Sequence, residues 1–240
     1  MKFTKPIRFC LALMLAAVSA QAQGTFQNLN FESANVDASG VEPYPNFVPI
    51  SSALPGWTAY LGAVQVTQVG YNAPANSTAS ITLIGPTWNS ADAGRYGGVG
   101  IIDGNYSLDL QTGANSQGLI NVSVAQNGTV PGSAESLQFE ASETTPLTVT
   151  FNGNVLSPVV LSSGVSADGV PYNLYGANIS AWAGDTGIME FTADQVAENY
   201  VVLDDISFST QVVPEPSPLA LTGLGALAFA LYRRFSPKRQ

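Results

Sequence analysis

Apolar and polar residues alternate along several short stretches in the middle of the chain. Every second residue is apolar in four of them: Tyr106, Leu108 and Leu110; Ile120, Val122 and Val124; Leu137, Phe139 and Ala141; Leu147, Val149 and Phe151. A side-chain period of two is typical of a β-strand with one buried face. No stretch between the two ends of the chain has a convincing helical period, so the pattern predicts an all-β fold.

Turn-forming sequences separate these predicted strands. They are Asp103-Gly104-Asn105, Asn127-Gly128, Asn152-Gly153-Asn154 and Asp168-Gly169. Short strands at roughly ten-residue spacing indicate an antiparallel β-sandwich. Residues 40–56 contain four prolines and are predicted to form a long loop. We expect a single domain over residues 24–212.

An apolar segment of a different kind lies near the start of the chain. It runs from Phe9 to Val18, follows three basic residues and ends before Ala20-Gln21-Ala22. A basic start, an apolar stretch and an A-x-A site together describe a secretory signal peptide. The segment is apolar on every side, unlike an amphipathic helix that packs on a core. We therefore expect residues 1–22 to be a signal peptide that is removed on export.

A second apolar segment lies near the end of the chain, between Pro218 and Arg233. Its sixteen residues would form about 24 Å of helix, a little less than a hydrocarbon core of about 30 Å. Such a helix spans a bilayer only marginally, with the arginines reaching the headgroups. The basic cluster that follows would keep the C-terminus on the cytoplasmic side.

This end of the chain resembles the PEP-CTERM sorting domain. The resemblance rests on Val213, Pro214, Glu215 and Pro216, on the glycine-containing apolar segment, and on the terminal pair Arg233 and Arg234. It implies that residues 213–240 are a sorting segment that a membrane exosortase recognises and cleaves. It also implies a Gram-negative source that makes exopolysaccharide, and a location in the cell envelope, on the surface or in the extracellular matrix. The alternative is a plain membrane anchor that stays attached.

Charge is distributed unevenly along the chain. Between the two ends, sixteen acidic residues stand against Arg95 alone, which gives this body a formal charge of −15. Such a surface repels nucleic acids and anionic lipids. The body has no cysteine and the chain has no histidine, which excludes serine-histidine and cysteine-histidine catalysis, zinc sites built on those side chains, and disulfides. Oxygen ligands remain, and these favour calcium.

Four segments of the body resemble, in their order, the galactose-binding-like jelly rolls, which include many carbohydrate-binding modules. They are Asn-Leu-Asn-Phe-Glu at 28–32, Leu-Pro-Gly-Trp at 54–57, Asp-Gly-Asn-Tyr-Ser-Leu-Asp-Leu at 103–110 and Leu-Asp-Asp-Ile-Ser-Phe at 203–208. The resemblance implies an antiparallel jelly-roll β-sandwich. The signal peptide and the hydrophobic sorting helix would flank it.

Asp204 and Asp205 form the most informative pair of the body. By strand alternation Asp204 shares a face with Ile206 and Phe208, where an unpaired charge is costly. The jelly-roll resemblance implies one structural Ca²⁺ between the first and last strands, held by Glu32 and by Asp204 or Asp205. The alternative is a solvated pair of carboxylates at the end of a strand.

Trp88 is the candidate ligand-binding residue. It lies in the loop Pro86-Thr87-Trp88-Asn89 among polar residues, where its flat ring could stack on a sugar. Trp57, after a Pro-Gly turn, is expected in the core, since large aromatic residues mostly stabilise proteins by burial.

Three functions remain open at this point. The first is a non-enzymatic exported protein with an adhesive or scaffolding role, and the second is a carbohydrate-binding module that recognises exopolysaccharide. The third is a glycan-processing enzyme, which needs two carboxylates about 5 to 9.5 Å apart. No motif singles out such a pair, so we expect no catalytic residues. An exposed aromatic cluster on one face would favour the second function, and two facing carboxylates in a cleft would favour the third.

Overall fold

The fold is built almost entirely from β-strands. The computed structural model describes residues 25–36, 46–75, 78–88, 99–115, 118–196 and 199–213. These ranges hold fifteen strands in two sheets, the short helix α1 (Ile50–Ala53) and one turn of 3-10 helix (Ser180–Trp182). The all-β prediction is therefore confirmed.

The two sheets differ in size. The larger sheet contains β1 (Phe47–Pro49), β4 (Gln68–Tyr71), β5 (Ser80–Ile84), β6 (Ser107–Asn115), β7 (Gly118–Ile120), β9 (Ser136–Glu143), β12 (Val159–Val165), β13 (Pro171–Asn178) and β15 (Asn199–Ser209). The smaller contains β2 (Thr58–Leu61), β3 (Val64–Val66), β8 (Val122–Thr129), β10 (Leu147–Phe151), β11 (Asn154–Val155) and β14 (Thr186–Ala193).

Neighbouring strands are mostly antiparallel. The larger sheet has the order β1-β4-β5-β6-β15-β9-β13-β12, with β7 paired to β6, and the smaller has the order β11-β10-β14-β8-β2-β3. The pair β4 and β5 is parallel, which is a departure from the purely antiparallel prediction. The last strand, β15, lies between β6 and β9 in the middle of the larger sheet.

The main core lies between the sheets, and the predicted alternation places its residues correctly. The fully or almost fully buried side chains include Leu108 and Leu110 of β6, Leu137, Phe139 and Ala141 of β9, Val122 and Val124 of β8, and Val149 and Phe151 of β10. Burying one Leu or Phe side chain contributes about 1.5–3 kcal/mol. Trp57 is buried as expected, and its indole N–H donates to the carbonyl oxygen of Asn28 at 3.0 Å.

Two local predictions are wrong. Asn127-Gly128 forms no turn but lies inside β8, where the two residues pair with Ile188 and Gly187 of β14. The ring of Phe26 packs on Gly128, where a Cβ would lie 2.6 Å from the ring. Ile120 does not continue into β8 but ends β7.

The proline-rich stretch is also more ordered than the predicted loop, within residues 46–56. Phe47–Pro49 form β1, whose Val48 pairs with Val69 of β4. The turn of helix α1 follows directly and buries Ala53. Burial of these apolar side chains outweighs the local preference of proline for loops.

The predicted signal peptide and almost all of the predicted sorting segment lie outside the described residues. Within the part of the chain that is described, no helix has the length and apolar character that a membrane crossing requires.

Candidate functional site

The outer face of the larger sheet, which points away from the main core, carries a second apolar cluster. Its buried members are Ile84, Val99, Ile102, Val170, Tyr200 and Val202, and Trp88, Ile101 and Tyr172 pack against them. By alternation along β6, β15 and β9, the acidic side chains of Asp109, Asp204 and Glu140 lie on this same outer face. The outer face therefore combines apolar residues with carboxylates.

Asp204 is almost fully buried on this face, with 1% of its surface exposed. Its Oδ2 accepts hydrogen bonds from Ser107 Oγ at 2.5 Å and from the backbone N–H of Asp103 at 3.2 Å. Its Oδ1 accepts one from the backbone N–H of Asp205 at 2.8 Å. Burial raises the pKa of Asp204 to about 7, although these donors favour the charged form. The carboxyl group thus ties the segment 103–107 to β15.

A β-bulge in β15 overturns the predicted register of this aspartate pair. Asp205 has a φ of 41°, and the pairing with β9 shifts just after Asp204. Ile206 consequently joins Leu203 in the main core, while Asp204 lies on the outer face. The prediction that Asp204 shares a face with Ile206 and Phe208 is wrong, because a bulge adds one residue to the strand.

Glu32 lies in a turn rather than in a strand, and its carboxylate binds the same segment. Its Oε1 accepts hydrogen bonds from the backbone N–H groups of Asn105 at 2.7 Å and Tyr106 at 2.9 Å, and its Oε2 accepts one from Asn105 Nδ2 at 2.9 Å. A side chain at Gly104 would collide with Oε1. Hydrogen bonds to a carboxylate are stronger than those between neutral groups, so Glu32 anchors the segment 103–106 firmly.

These contacts bear on the predicted calcium site. Calcium takes six to eight oxygen ligands, and across the described ranges no group of three or more Asp or Glu side chains is placed to hold a metal ion. Glu32 and Asp204 each direct both carboxylate oxygens at hydrogen-bond donors of the protein. Calcium binding through Glu32 and Asp204 or Asp205 stays a prediction.

Asp109 is the most unusual acidic residue of the fold. It is fully buried between Thr82 of β5 and Val202 of β15. Neither carboxylate oxygen has a hydrogen-bond partner among the described residues. Burial alone raises the pKa of Asp109 to about 8. Sequence reasoning missed this residue, because alternation with Leu108 and Leu110 gives it an outward position that would ordinarily be solvated.

Glu140 and Tyr172 lie within the electrostatic influence of further acidic residues. Partial burial, then Asp205 and Asp103, raise the pKa of Glu140. The carboxylate of Glu140, then burial and Asp103, raise the pKa of Tyr172. The Tyr172 hydroxyl therefore lies close enough to Glu140 and Asp103 to be influenced by their charges.

Trp88 packs against the outer-face cluster and is half-buried. Its indole N–H donates to the carbonyl oxygen of Val99 at 3.2 Å. These contacts give the side chain a structural role, and its predicted stacking on a sugar stays a prediction.

A cleft of about 330 Å³ opens beside Tyr172 and Tyr200. Ser142 of β9 and Thr144, which directly follows β9, line it together with Gly164 of β12. Tyr172 and Gly164 are cross-strand partners, and a Cβ at position 164 would lie only 2.7 Å from Tyr172 Cζ. The tyrosine ring therefore lies across the glycine backbone. No motif marks these residues in the sequence, since β9, β12, β13 and β15 bring them together from distant positions.

Comparisons with family models, with curated proteins and with solved structures found no match. The function is therefore inferred from the geometry of these residues and from the order of segments along the chain.

Among the predicted sorting residues, Val213 is the one that lies within the described part of the chain. A Cβ at Gly176 would lie 3.2 Å from Val213 and 2.8 Å from Leu161, so the chain leaves the domain beside β12 and β13. Pro214, Glu215, Pro216, Arg233 and Arg234 lie outside the described residues, as does Arg95.

Proposed function

We propose that the chain is an exported surface or extracellular-matrix protein of a Gram-negative bacterium, sorted through residues 213–240 and non-enzymatic, with an adhesive or scaffolding role. The observation that carries the proposal is the position of the Val-Pro-Glu-Pro motif. The last strand of the body ends at Ser209, and the motif begins at Val213. The sorting segment thus follows the folded body after three residues, as expected of a detachable module.

The proposed partners are the secretion machinery, an exosortase and, before processing, the membrane. The acidic body has no basic side chain in its described residues, and this composition favours an extracellular partner that is not a nucleic acid. The two-sheet architecture with the last strand inside the larger sheet supports the proposal of a jelly-roll body. A structural Ca²⁺ held by Glu32 and Asp204 or Asp205 belongs to the same proposal.

Intact-mass analysis of the protein from its native host tests the sorting proposal. We expect a species that begins near Gln23 and ends between Pro214 and Ser217. Glu215→Ala should abolish C-terminal processing, whereas Gln211→Ala, just upstream of the motif, should leave it unchanged. Recovery of protein that still ends at Gln240 would contradict processing and indicate a plain anchor.

A second candidate function is carbohydrate binding, and the cleft beside Tyr172 favours it. The cleft is lined by two aromatic rings and by hydroxyl groups, a combination typical of sites that bind polar organic ligands. The alternative partner is accordingly the exopolysaccharide of the producing cell.

A further inference from the structure

We propose that the cleft beside Tyr172 binds a neutral pyranose unit of a polysaccharide, with the sugar ring stacked on the Tyr172 ring. This inference rests on the carbohydrate-binding candidate function and assigns it a site and a ligand class. It places the stacking aromatic residue at Tyr172 rather than at Trp88.

The orientation of the Tyr172 ring suits stacking on a sugar. Gly164 lies directly opposite on β12, and a Cβ there would lie 2.7 Å from Tyr172 Cζ and 2.8 Å from its hydroxyl oxygen. One face of the ring is thus supported by backbone. The side chain also packs against the outer-face cluster but is only half-buried, so part of the ring is exposed in the cleft for a ligand. The negative face of an aromatic ring attracts the polarised C–H groups on the flat side of a pyranose.

The polarity of the cleft also suits a sugar. Ser142 and Thr144 contribute hydroxyl groups to it, and hydroxyl groups both donate and accept hydrogen bonds, as sugar hydroxyls do. Thr144 Oγ1 is fixed by hydrogen bonds with the backbone of Tyr200 at 3.0 and 3.3 Å. The volume of about 330 Å³ lies at the lower end of the range of small-molecule sites, which suits a short part of a chain.

The charge of the residues around the cleft selects the class of sugar. The described residues include no Lys, Arg or His, and the Tyr172 hydroxyl lies in the field of Glu140 and Asp103. A uronate or a sulfate would be repelled here. A neutral sugar has no such penalty, and its hydroxyls can donate to carboxylates.

Native affinity electrophoresis of the full-length chain in a nonionic detergent tests the proposal. The gels contain hydroxyethyl cellulose, galactomannan or dextran as neutral probes and alginate as an anionic probe. We expect at least one neutral polysaccharide to retard the wild-type chain, and alginate not to retard it. Tyr172→Ala should weaken this retention about tenfold or more, and Tyr172→Phe should preserve it.

Gly164→Ala is the sharper variant, because it keeps the tyrosine and displaces only its ring. Its matched control is Gly132→Ala, since a Cβ at position 132 meets no atom within 4 Å. We expect Gly164→Ala to lose retention and Gly132→Ala to keep it, with near-ultraviolet circular dichroism confirming that each variant is folded. If Tyr172→Ala does not fold, the retention of Gly164→Ala alone tests the Tyr172 site.

The outcomes separate this inference from the function on which it rests. Wild-type retention that folded Gly164→Ala or Tyr172→Ala leaves unchanged would overturn the Tyr172 site and leave carbohydrate binding standing. No retention of the wild type by any neutral polysaccharide would overturn both. Retention by alginate alone would refute the neutral ligand class.

Discussion

The buried carboxyl group of Asp109 makes the stability of the folded body depend on pH in a specific direction. The group is fully buried and has no hydrogen-bond partner among the described residues, and burial raises its pKa to about 8. In the unfolded chain the pKa returns to its ordinary value of about 3.9. The folded state therefore holds a proton that the unfolded state releases.

The sign and the size of the effect follow from this difference in pKa. Because the folded pKa is raised, the stabilisation is fully present below about pH 4 and is lost as pH rises toward 8. Each pH unit in this window removes about 1.4 kcal/mol from the free energy of unfolding, and about four units set an upper limit of about 6 kcal/mol. That limit is comparable to the whole stability of a typical domain, about 5–15 kcal/mol. The pKa of Asp204 is raised to about 7, so its proton likewise stabilises the folded state at low pH. This contribution to the free energy of unfolding is lost as pH rises toward 7.

Asp109→Asn tests this expectation by replacing the carboxyl with a group of equal size that does not titrate. We expect urea denaturation between pH 4.5 and 8.5 to show a free energy of unfolding that falls with pH in the wild type and falls less steeply in Asp109→Asn. The slopes of the free energy of unfolding against pH are compared, and not its absolute values. A buried amide without a partner has its own cost of about 1–3 kcal/mol, which is the same at every pH. Asp168→Asn, at the exposed tip of the β12-β13 hairpin, is the control and should leave the slope unchanged.

Equal slopes in the wild type and in Asp109→Asn would refute the reasoning. The carboxyl group would then be ionised in the folded protein and neutralised by a cation from outside the described residues. Arg95 is the one basic side chain of the body, so Arg95→Gln would be expected to restore the pH dependence in that case.

Two further predictions concern the calcium site and Trp88. A structural calcium at about 100 times its dissociation constant would add about 2.7 kcal/mol, so thermal melts with calcium and with EDTA should differ by several degrees. Asp204→Ala combined with Asp205→Ala should remove the difference, and superimposable melts of the wild type would contradict the calcium site. Trp88→Ala should lower the melting temperature, because the side chain packs on the outer-face cluster and donates a hydrogen bond to Val99. If the variant instead loses polysaccharide retention at an unchanged melting temperature, Trp88 is a binding residue.

The sequence predicts the main core well because that core obeys a local rule. Leu108, Leu110 and Phe139 are buried, as their alternation indicates, since successive side chains of a strand point to opposite faces. The same rule places Asp109 outward but says nothing of what covers it. Its cross-strand neighbour Val202 belongs to the outer-face cluster with Ile84 and Val170, and no local pattern in the sequence connects these residues to β6.

The candidate site depends on features that carry even weaker local signals. The bulge at Asp205 moves the side chains that follow it to the opposite face of the sheet. The alternation up to Asp204 does not predict this extra residue. Gly128 illustrates the reverse problem, because a strong local turn signal is overridden where β8 pairs with the distant strand β14. The role of Gly164 under Tyr172 likewise requires the pairing of β12 with β13.

The acidic composition of the body explains why its carboxylates are used as they are. With no basic side chain in the described ranges, a buried carboxylate there must be stabilised by N–H and O–H donors or retain its proton. Glu32 follows the first course, and Asp204 combines the two, because donors bind its carboxyl group while burial raises its pKa to about 7. Asp109, which has no donor in the described ranges, is expected to follow the second. The remaining carboxylates give the surface a high negative charge, which keeps copies of the protein apart and repels anionic polymers. On the proposal made above, a neutral polysaccharide can approach such a surface without electrostatic cost, and we expect the Tyr172 ring to supply the attraction that charge does not.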